Sequence, residues 1–215
     1  MALSGEVRFC ERFTESLIEV NFTGIILAAG ASRRMGTPKA LLEFHGQSFI
    51  DRLTGAFAQH CTDVIVVIGH HADTIRLGMH LRSLPVFVEN PAPEKGQLSS
   101  LQCGLRAAPE GSSGILFIPV DCPSIKPETI GKLIEHSGDA PFVVPAHEGK
   151  HGHPILFRPE IAAEFLALPQ GSSAREVVHR YRSQTLYVDV QDPGVVRDVD
   201  DPVAYRELLA TSECL

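Results

Sequence analysis

Leu27-Ala-Ala-Gly-Ala-Ser-Arg-Arg-Met-Gly-Thr-Pro-Lys39 grows out of the apolar stretch Thr23 to Ala29. A buried strand that ends in small residues and passes into a glycine-rich, cationic loop is a phosphate-binding pattern. Gly30 and Gly36 permit positive φ and a close backbone approach, so that successive N–H groups can turn toward one anion. Arg33, Arg34 and Lys39 supply the charge that a triphosphate, and later a pyrophosphate leaving group, requires. Ala28, Ala29 and Ala31 leave room for a flat base or a sugar. Two better-known loops do not fit: there is no Gly-Lys-Ser/Thr and no Gly-x-Gly-x-x-Gly. The plainer alternative is a solvent-facing loop that carries three cations.

Strand-like and helix-like segments alternate outward from this loop. Asp63 to Ile68, Pro85 to Glu89 and Gly114 to Val120 read as strands. Phe49 to His60, Ala72 to Arg82, Gln97 to Ala107 and Pro127 to His136 read as helices, the last opened by Ser124. Beyond residue 140 the pattern changes. Pro141 to Pro145 and Pro154 to Phe157 form two strands with no long crossover between them. Ser173 to Glu176 is a capping box before a helix to about Tyr181, Thr185 to Val190 is a strand, and Asp201-Pro202 opens a last helix. The expectation is an α/β fold, a Rossmann-like three-layer αβα sandwich with a mostly parallel sheet and an antiparallel part in the C-terminal third. Residues 23–210 form one domain and 1–22 a peripheral extension with a short helix. The glycine-rich loop, residues 69–71 and residues 119–123 all follow carboxyl ends of strands, where such sheets bind ligands.

The 215 residues are 44% hydrophobic and 21% charged, enough to bury a core. Net charge is -7 without a basic run, which argues against nucleic acid and makes the local Arg33, Arg34 and Lys39 cluster stand out. No apolar run approaches membrane-spanning length. Five scattered cysteines and no Cys-x-x-Cys point to a reducing cytoplasm, and the acidic N-terminus is not a signal peptide. No Gly-x-Ser-x-Gly elbow is present. Cys122 beside Asp121 is placed against thiolate formation.

Further motifs follow in order. Pro119-Val-Asp-Cys-Pro123 puts Asp121 at a strand end, where a hard cation could meet carboxylate and phosphate oxygens, or where it could cap the next turn. Asn90 to Leu101 contains Gly96, which lets backbone approach a ligand, and Ser99 and Ser100, which can read a base or hold ribose, or simply cap the helix. Gly152-His153-Pro154 lies in a polar loop with His147 and His151, whose spacing could suit a metal; no carboxylate or Cys in the loop completes such a site, which favours solvated histidines over structural zinc. His70-His71 reads as an exposed helix start.

Together these motifs resemble the nucleotidyltransferases that make molybdenum cofactor dinucleotides, across about Thr23 to Leu209. The resemblance implies nucleotidyl transfer from an NTP with Mg²⁺ as cofactor. It implies nucleotide binding by Leu27, Ala28, Ala29, Gly30, Ser32, Gly36, Lys39, Gly96, Ser99 and Ser100. It implies catalysis by Lys39, Arg33 and Arg34, metal ligation by Asp121 and Asp200, and acceptor binding by Gly152, His153 and Pro154. Asp201 stands where the family usually has Thr in Asp198-Val-Asp-Asp-Pro202, so the metal ligand among Asp198, Asp200 and Asp201 stays open. Leu98 stands where Ser is common. Leu27-Ala-Ala-Gly30 is closer to the cytidylyl than the guanylyl form, which implies CTP as donor and molybdopterin as acceptor. A molybdoenzyme or its maturation factor is the implied partner. Alternatives are a sugar phosphate or other small phosphate acceptor, a non-catalytic carrier for molybdoenzymes, and an oxidoreductase.

Overall fold

A computed structural model describes residues 21–212. The extension expected over 1–22, with its helix, lies almost wholly outside the described residues, as do Cys10 and Cys214. β1 (Phe22–Leu27) is buried along its whole length. It pairs in parallel with the strands Asp63–Ile68 and Gly114–Pro119, so both of its faces must be apolar. Alternate side chains serve the two faces. Ile26 and Ala28 join Val66 and Ile118 on one side, while Ile25 and Leu27 join Ile65, Val67 and Phe117 on the other. Gly24 is required by packing: a Cβ there would lie 2.1 Å from Cδ1 of Phe57, whose ring is fully buried over β1.

The chain continues through a 3-10 turn at Lys39–Leu41 and a small hairpin of β2 (Glu43–Phe44) and β3 (Gln47–Ser48), which sequence periodicity did not reveal. α1 (Phe49–Ala58) is capped by Ser48, whose hydroxyl accepts from Asp51 N. Asp51 is itself buried and accepts from His80 N and Leu81 N, which ties α1 to that later segment. β4 (Asp63–Ile68), α2 (Ala72–Gly78), β5 (Val86–Glu89), α3 (Gln97–Ala107) and β6 (Gly114–Pro119) complete the parallel half. α2 stops short of the expected Arg82 because Met79 turns extended. α1 contributes Leu53 and Phe57 to one core and α3 contributes Leu98, Leu101 and Leu105 to the other, so the helices cover opposite faces.

α4 (Pro127–Glu135) departs from expectation at its start. Its cap is Lys126, and Ser124 Oγ is buried without a hydrogen-bond partner. The distant Asp192 carboxylate instead accepts from Lys126 N at 2.8 Å and from Thr129 Oγ1 at 2.6 Å. β7 (Phe142–His147), β8 (Lys150–His151), β9 (Ile155–Phe157), α5 (Ala162–Ala167), α6 (Ala174–Arg180), β10 (Leu186–Asp189) and α7 (Pro202–Ser212) follow. The capping box at Ser173 is present. The main sheet is eight-stranded, in the order β10-β7-β9-β6-β1-β4-β5 with β8 on β7. As expected, it is mostly parallel with an antiparallel part late in the chain: β9 runs antiparallel to both β6 and β7.

This order positions the site. β1 leads to its neighbour β4 on one side, and β5 leads back through α3 to its neighbour β6 on the other. The strand order reverses direction between β1 and β6, and the loops that follow these two neighbours lie side by side at their carboxyl ends and line one crevice. Because β9 is antiparallel, its amino end lies at that same edge, and Gly152-His153-Pro154 arrives there with it.

Candidate functional site

The loop after β1 is held by its own bonds. Ser32 takes φ 49° and Gly36 φ 70°. Ser32 Oγ accepts from Lys39 N at 2.9 Å, which closes the loop on itself. Gly30, expected to supply a positive φ, does not adopt one; Ser32 carries that turn. The use of Gly30 is space. A Cβ there would meet no protein atom within 4 Å, and the residue lines a cavity of about 220 Å³. We expect Gly30→Val to leave stability within about 0.5 kcal/mol of wild type. The same change should weaken nucleoside triphosphate binding about tenfold by filling ligand space. A urea midpoint and a CTP titration check both, and unchanged CTP binding would remove the nucleotide from this cavity.

The inner cavity is lined by Leu27, Ala28, Ala29, Gly30, Ser32, Lys39, Gly96, Ser100 and Asp121, among others. Four sequence-selected residues stand elsewhere. Arg33, Arg34 and Gly36 are exposed on the loop outside it. Ser99 turns away: its hydroxyl donates to Gly96 O and accepts from Asn90 Nδ2 at 2.8 Å. Asn90 Nδ2 also reaches Ser100 Oγ at 3.0 Å. His71, expected at an exposed helix start, braces the loop through Nε2 and Ala31 O at 3.1 Å. Since a carbonyl only accepts, this contact needs the Nε2–H form.

Lys39 gathers the acidic residues. Its Nζ donates to Asp121 Oδ2 at 3.2 Å and to Asp200 Oδ1 at 2.8 Å. Asp121 stands in the turn just past the end of β6, and Val199 N donates to Asp121 O at 2.8 Å, so the C-terminal segment is stitched beside it. Burial would lower the Lys39 pKa, but the Asp200 hydrogen bond and the Asp121 charge outweigh it and leave it raised. Asp198 is also raised, first by burial and then by the charges of Asp121 and Asp200. Asp201 does not join them, because its Oδ1 accepts from Val203 N and Ala204 N and caps α7. Burial and the Asp121 charge push the Cys122 thiol well up, the reverse of a nucleophile.

A cationic side chain bridging two carboxylates shows that both aim at one point where positive charge is stabilised. Among the described residues no group of three or more His, Cys, Asp or Glu is gathered for a metal. Two carboxylates completed by phosphate oxygens and water are a donor set that fits magnesium.

A second cavity, of about 620 Å³, opens on the other side of Asp121, which lines both. Gly152 and His153 line it. Gly152 passes directly over the 193–196 turn, where a Cβ would fall 1.8 Å from Val195 O. The His153–Pro154 bond is cis, and the His153 ring stands edge-on to Phe117 at 6.0 Å. Burial, then the Arg175 charge, lowers the His153 pKa to about 4. His153 is thus neutral near pH 7 and adds no positive charge to this cavity. His147 bonds Val190 O and His151 stacks on Tyr187, so the three histidines of this loop point to separate partners.

The same shift sets a pH dependence. An unfolded histidine titrates near 6.5 and this one at about 4, so protons bind preferentially to the unfolded chain between those values. Stability is complete above about pH 6.5 and falls as the pH drops toward 4. Because one ring edge opens on the cavity, we expect a loss of about 2 kcal/mol, removed in His153→Gln. Urea titrations at pH 7 and 4.5 measure it, and equal slopes for both proteins would disprove it.

Sequence reading did not select Arg175, His179 and Arg182, which line the second cavity from α6 and its following turn. Their i, i+4, i+7 spacing was the available signal.

The sequence profile of the MobA-like NTP transferase domain matches residues 24–185. The chain is 36% identical over 134 residues to a probable molybdenum cofactor guanylyltransferase of Pelotomaculum thermopropionicum, a match spanning 62% of this chain and 61% of that protein. It is 28% identical to nicotine blue oxidoreductase of Paenarthrobacter nicotinovorans, over 83% of this chain and 91% of that protein. It is 24% identical to molybdenum cofactor cytidylyltransferase of Escherichia coli, over 83% and 90%. Among solved structures, Rv0371c of Mycobacterium tuberculosis superposes with a TM-score of 0.76 at 29% identity, over 89% of this chain and 98% of that one. Its complex with manganese gives 0.73 at 27% identity, over 89% and 99%. With a crevice at the β1–β6 switch point and a profile match over most of its length, the chain belongs to the MobA-like NTP transferase family of nucleotidyltransferases.

Proposed function

We propose that this protein transfers CMP from CTP to molybdopterin with Mg²⁺ and releases pyrophosphate. The observation that carries this reading is Asp121, which lies on the wall between two cavities and shares the Lys39 ammonium with Asp200. One cavity suits the nucleotide and the other the acceptor. Asp121 and Asp200 would hold the metal ion, which supplies charge neutralisation on phosphate oxygens. The glycine-rich loop and Ser100 would hold the nucleotide. The acceptor's phosphate oxygen forms a bond to the α-phosphorus, the α–β bridging P–O bond breaks, and pyrophosphate leaves with the electron pair. Lys39, with an arginine of the exposed Arg33-Arg34 pair, offsets charge on that leaving group. No general base is needed, because the attacking phosphate is already an anion. His153 orients the acceptor as a neutral ring.

CTP is supported by the Leu27-Ala-Ala-Gly30 form and by similarity to the E. coli cytidylyltransferase. Higher identity over a shorter span favours GTP. The experiment is pyrophosphate release with CTP, GTP, ATP or UTP, plus Mg²⁺ and molybdopterin carrying molybdate. Release with CTP alone supports the proposal, and release with GTP alone reassigns the base. Release only when a sugar phosphate replaces molybdopterin reassigns the acceptor. CTP binding without release favours a carrier. Similarity to nicotine blue oxidoreductase adds a control with NADPH, whose consumption would favour redox chemistry.

A further inference from the structure

The second cavity is electrically divided. Its lining includes the acidic Asp121, Asp198 and Asp200 and also Arg175, His179 and Arg182. An arginine-bearing wall stands out in a chain of net charge -7. It also differs from the rest of its own helix. Arg180, on the other side of α6, is ion-paired with Glu164 at 3.0 Å. Among the described residues, the Arg175 and Arg182 guanidinium groups have neither a hydrogen bond nor an ion pair. Arg175 nevertheless lines the same cavity as His153 and Asp198 and acts electrostatically on both. His153, being neutral, leaves the charge of an acceptor to be met by these arginines. A guanidinium offers a planar fork of donors that matches phosphate oxygens, and a cation left unpaired on a cavity wall is a group without its partner.

We infer that Arg175 and Arg182 bind the acceptor through a phosphate monoester and are the acceptor-specificity residues of this protein. This rests on reading the second cavity as the acceptor side. The two arginines face the ligand, and His179 between them adds a third polar group. The nucleotide, in the cavity across Asp121, does not touch them. Substitution therefore separates acceptor binding from nucleotide binding, and because both side chains are exposed the fold survives it.

Isothermal titration calorimetry tests the assignment, with molybdopterin in one arm and glucose 1-phosphate in the other. The proteins are wild type, R175Q/R182Q, R175K/R182K and Arg180→Gln. We expect wild type to bind one of the two phosphates and R175Q/R182Q to bind it about thirtyfold more weakly, with CTP affinity unchanged. The double lysine variant should recover part of the loss through charge alone, and Arg180→Gln should match wild type. Equal affinity in wild type and R175Q/R182Q overturns the inference, as does failure of wild type to bind either phosphate. Arginine-dependent binding without pyrophosphate release from any nucleotide would instead sink the transfer reaction and leave the arginine assignment standing.

Discussion

Asp121→Asn should lower kcat by about 10³ while the protein stays folded, equivalent to about 4 kcal/mol of transition-state stabilisation. The change keeps the shape of the side chain and removes only its charge. Asp121 lines both cavities, where the proposed transfer would form the new phosphoanhydride, and its side chain is 25% exposed. Water screens a charge weakly in such a place, so its loss is felt almost in full. Asp200 is 60% exposed and its contribution is screened more, so Asp200→Asn should cost about tenfold to 10². The stability cost of Asp121→Asn is small, within about 1 kcal/mol, because losing the Lys39 pair is offset by relief of repulsion from Asp198 and Asp200. Pyrophosphate release at saturating substrates and a urea midpoint give the two readings. Full turnover in a folded Asp121→Asn protein would falsify the catalytic assignment.

Lys39→Ala should move two measurements in opposite directions. Turnover falls by about 10², since in the proposed reaction only the exposed Arg33-Arg34 pair is then left to offset charge on the leaving pyrophosphate. Divalent metal binding tightens by about tenfold, because the ammonium no longer occupies the carboxylate pair at 3.2 and 2.8 Å. The Lys39 side chain is 15% exposed and held on both acids at once, so an incoming cation must displace it from the acids before binding them. Mn²⁺ is the convenient probe, read by the rise in melting temperature with metal concentration. A purely structural lysine would lower stability and metal affinity together. If Mn²⁺ binds Lys39→Ala no more tightly than wild type, the carboxylate pair is not the cation site.

Several elements were legible because their periodicity is local. Asp63–Ile68 and Gln97–Ala107 fall on the expected residues, since a run of buried β-branched residues and a helical repeat each announce themselves within a few turns of chain. The small hairpin at residues 43–48 and α5 were not legible; both are too short to show a period. The start of α4 was misread because Ser124 is a good local cap, yet the carboxylate that binds there comes from Asp192, far along the chain. Ser99 was misplaced for a related reason: a hydroxyl at a helix start can face a ligand or its own loop, and here the buried Asn90 takes it.

By itself, the sequence determined that a strand feeds a glycine-rich cationic loop, that strands and helices alternate into a mostly parallel sheet, and that acidic residues stand near strand ends. The meeting of Lys39 with Asp121 and Asp200, across separations of 82 and 161 positions, and the capping of a helix by Asp201 came from the packed chain alone. Packing also makes His153 neutral near pH 7 and brings Arg175 and Arg182 into the lining of the same cavity. The reason is physical. A hydrophobic pattern encodes which face of each element avoids water, whereas strand order, and with it the meeting of distant side chains, is set by how all those faces pack at once.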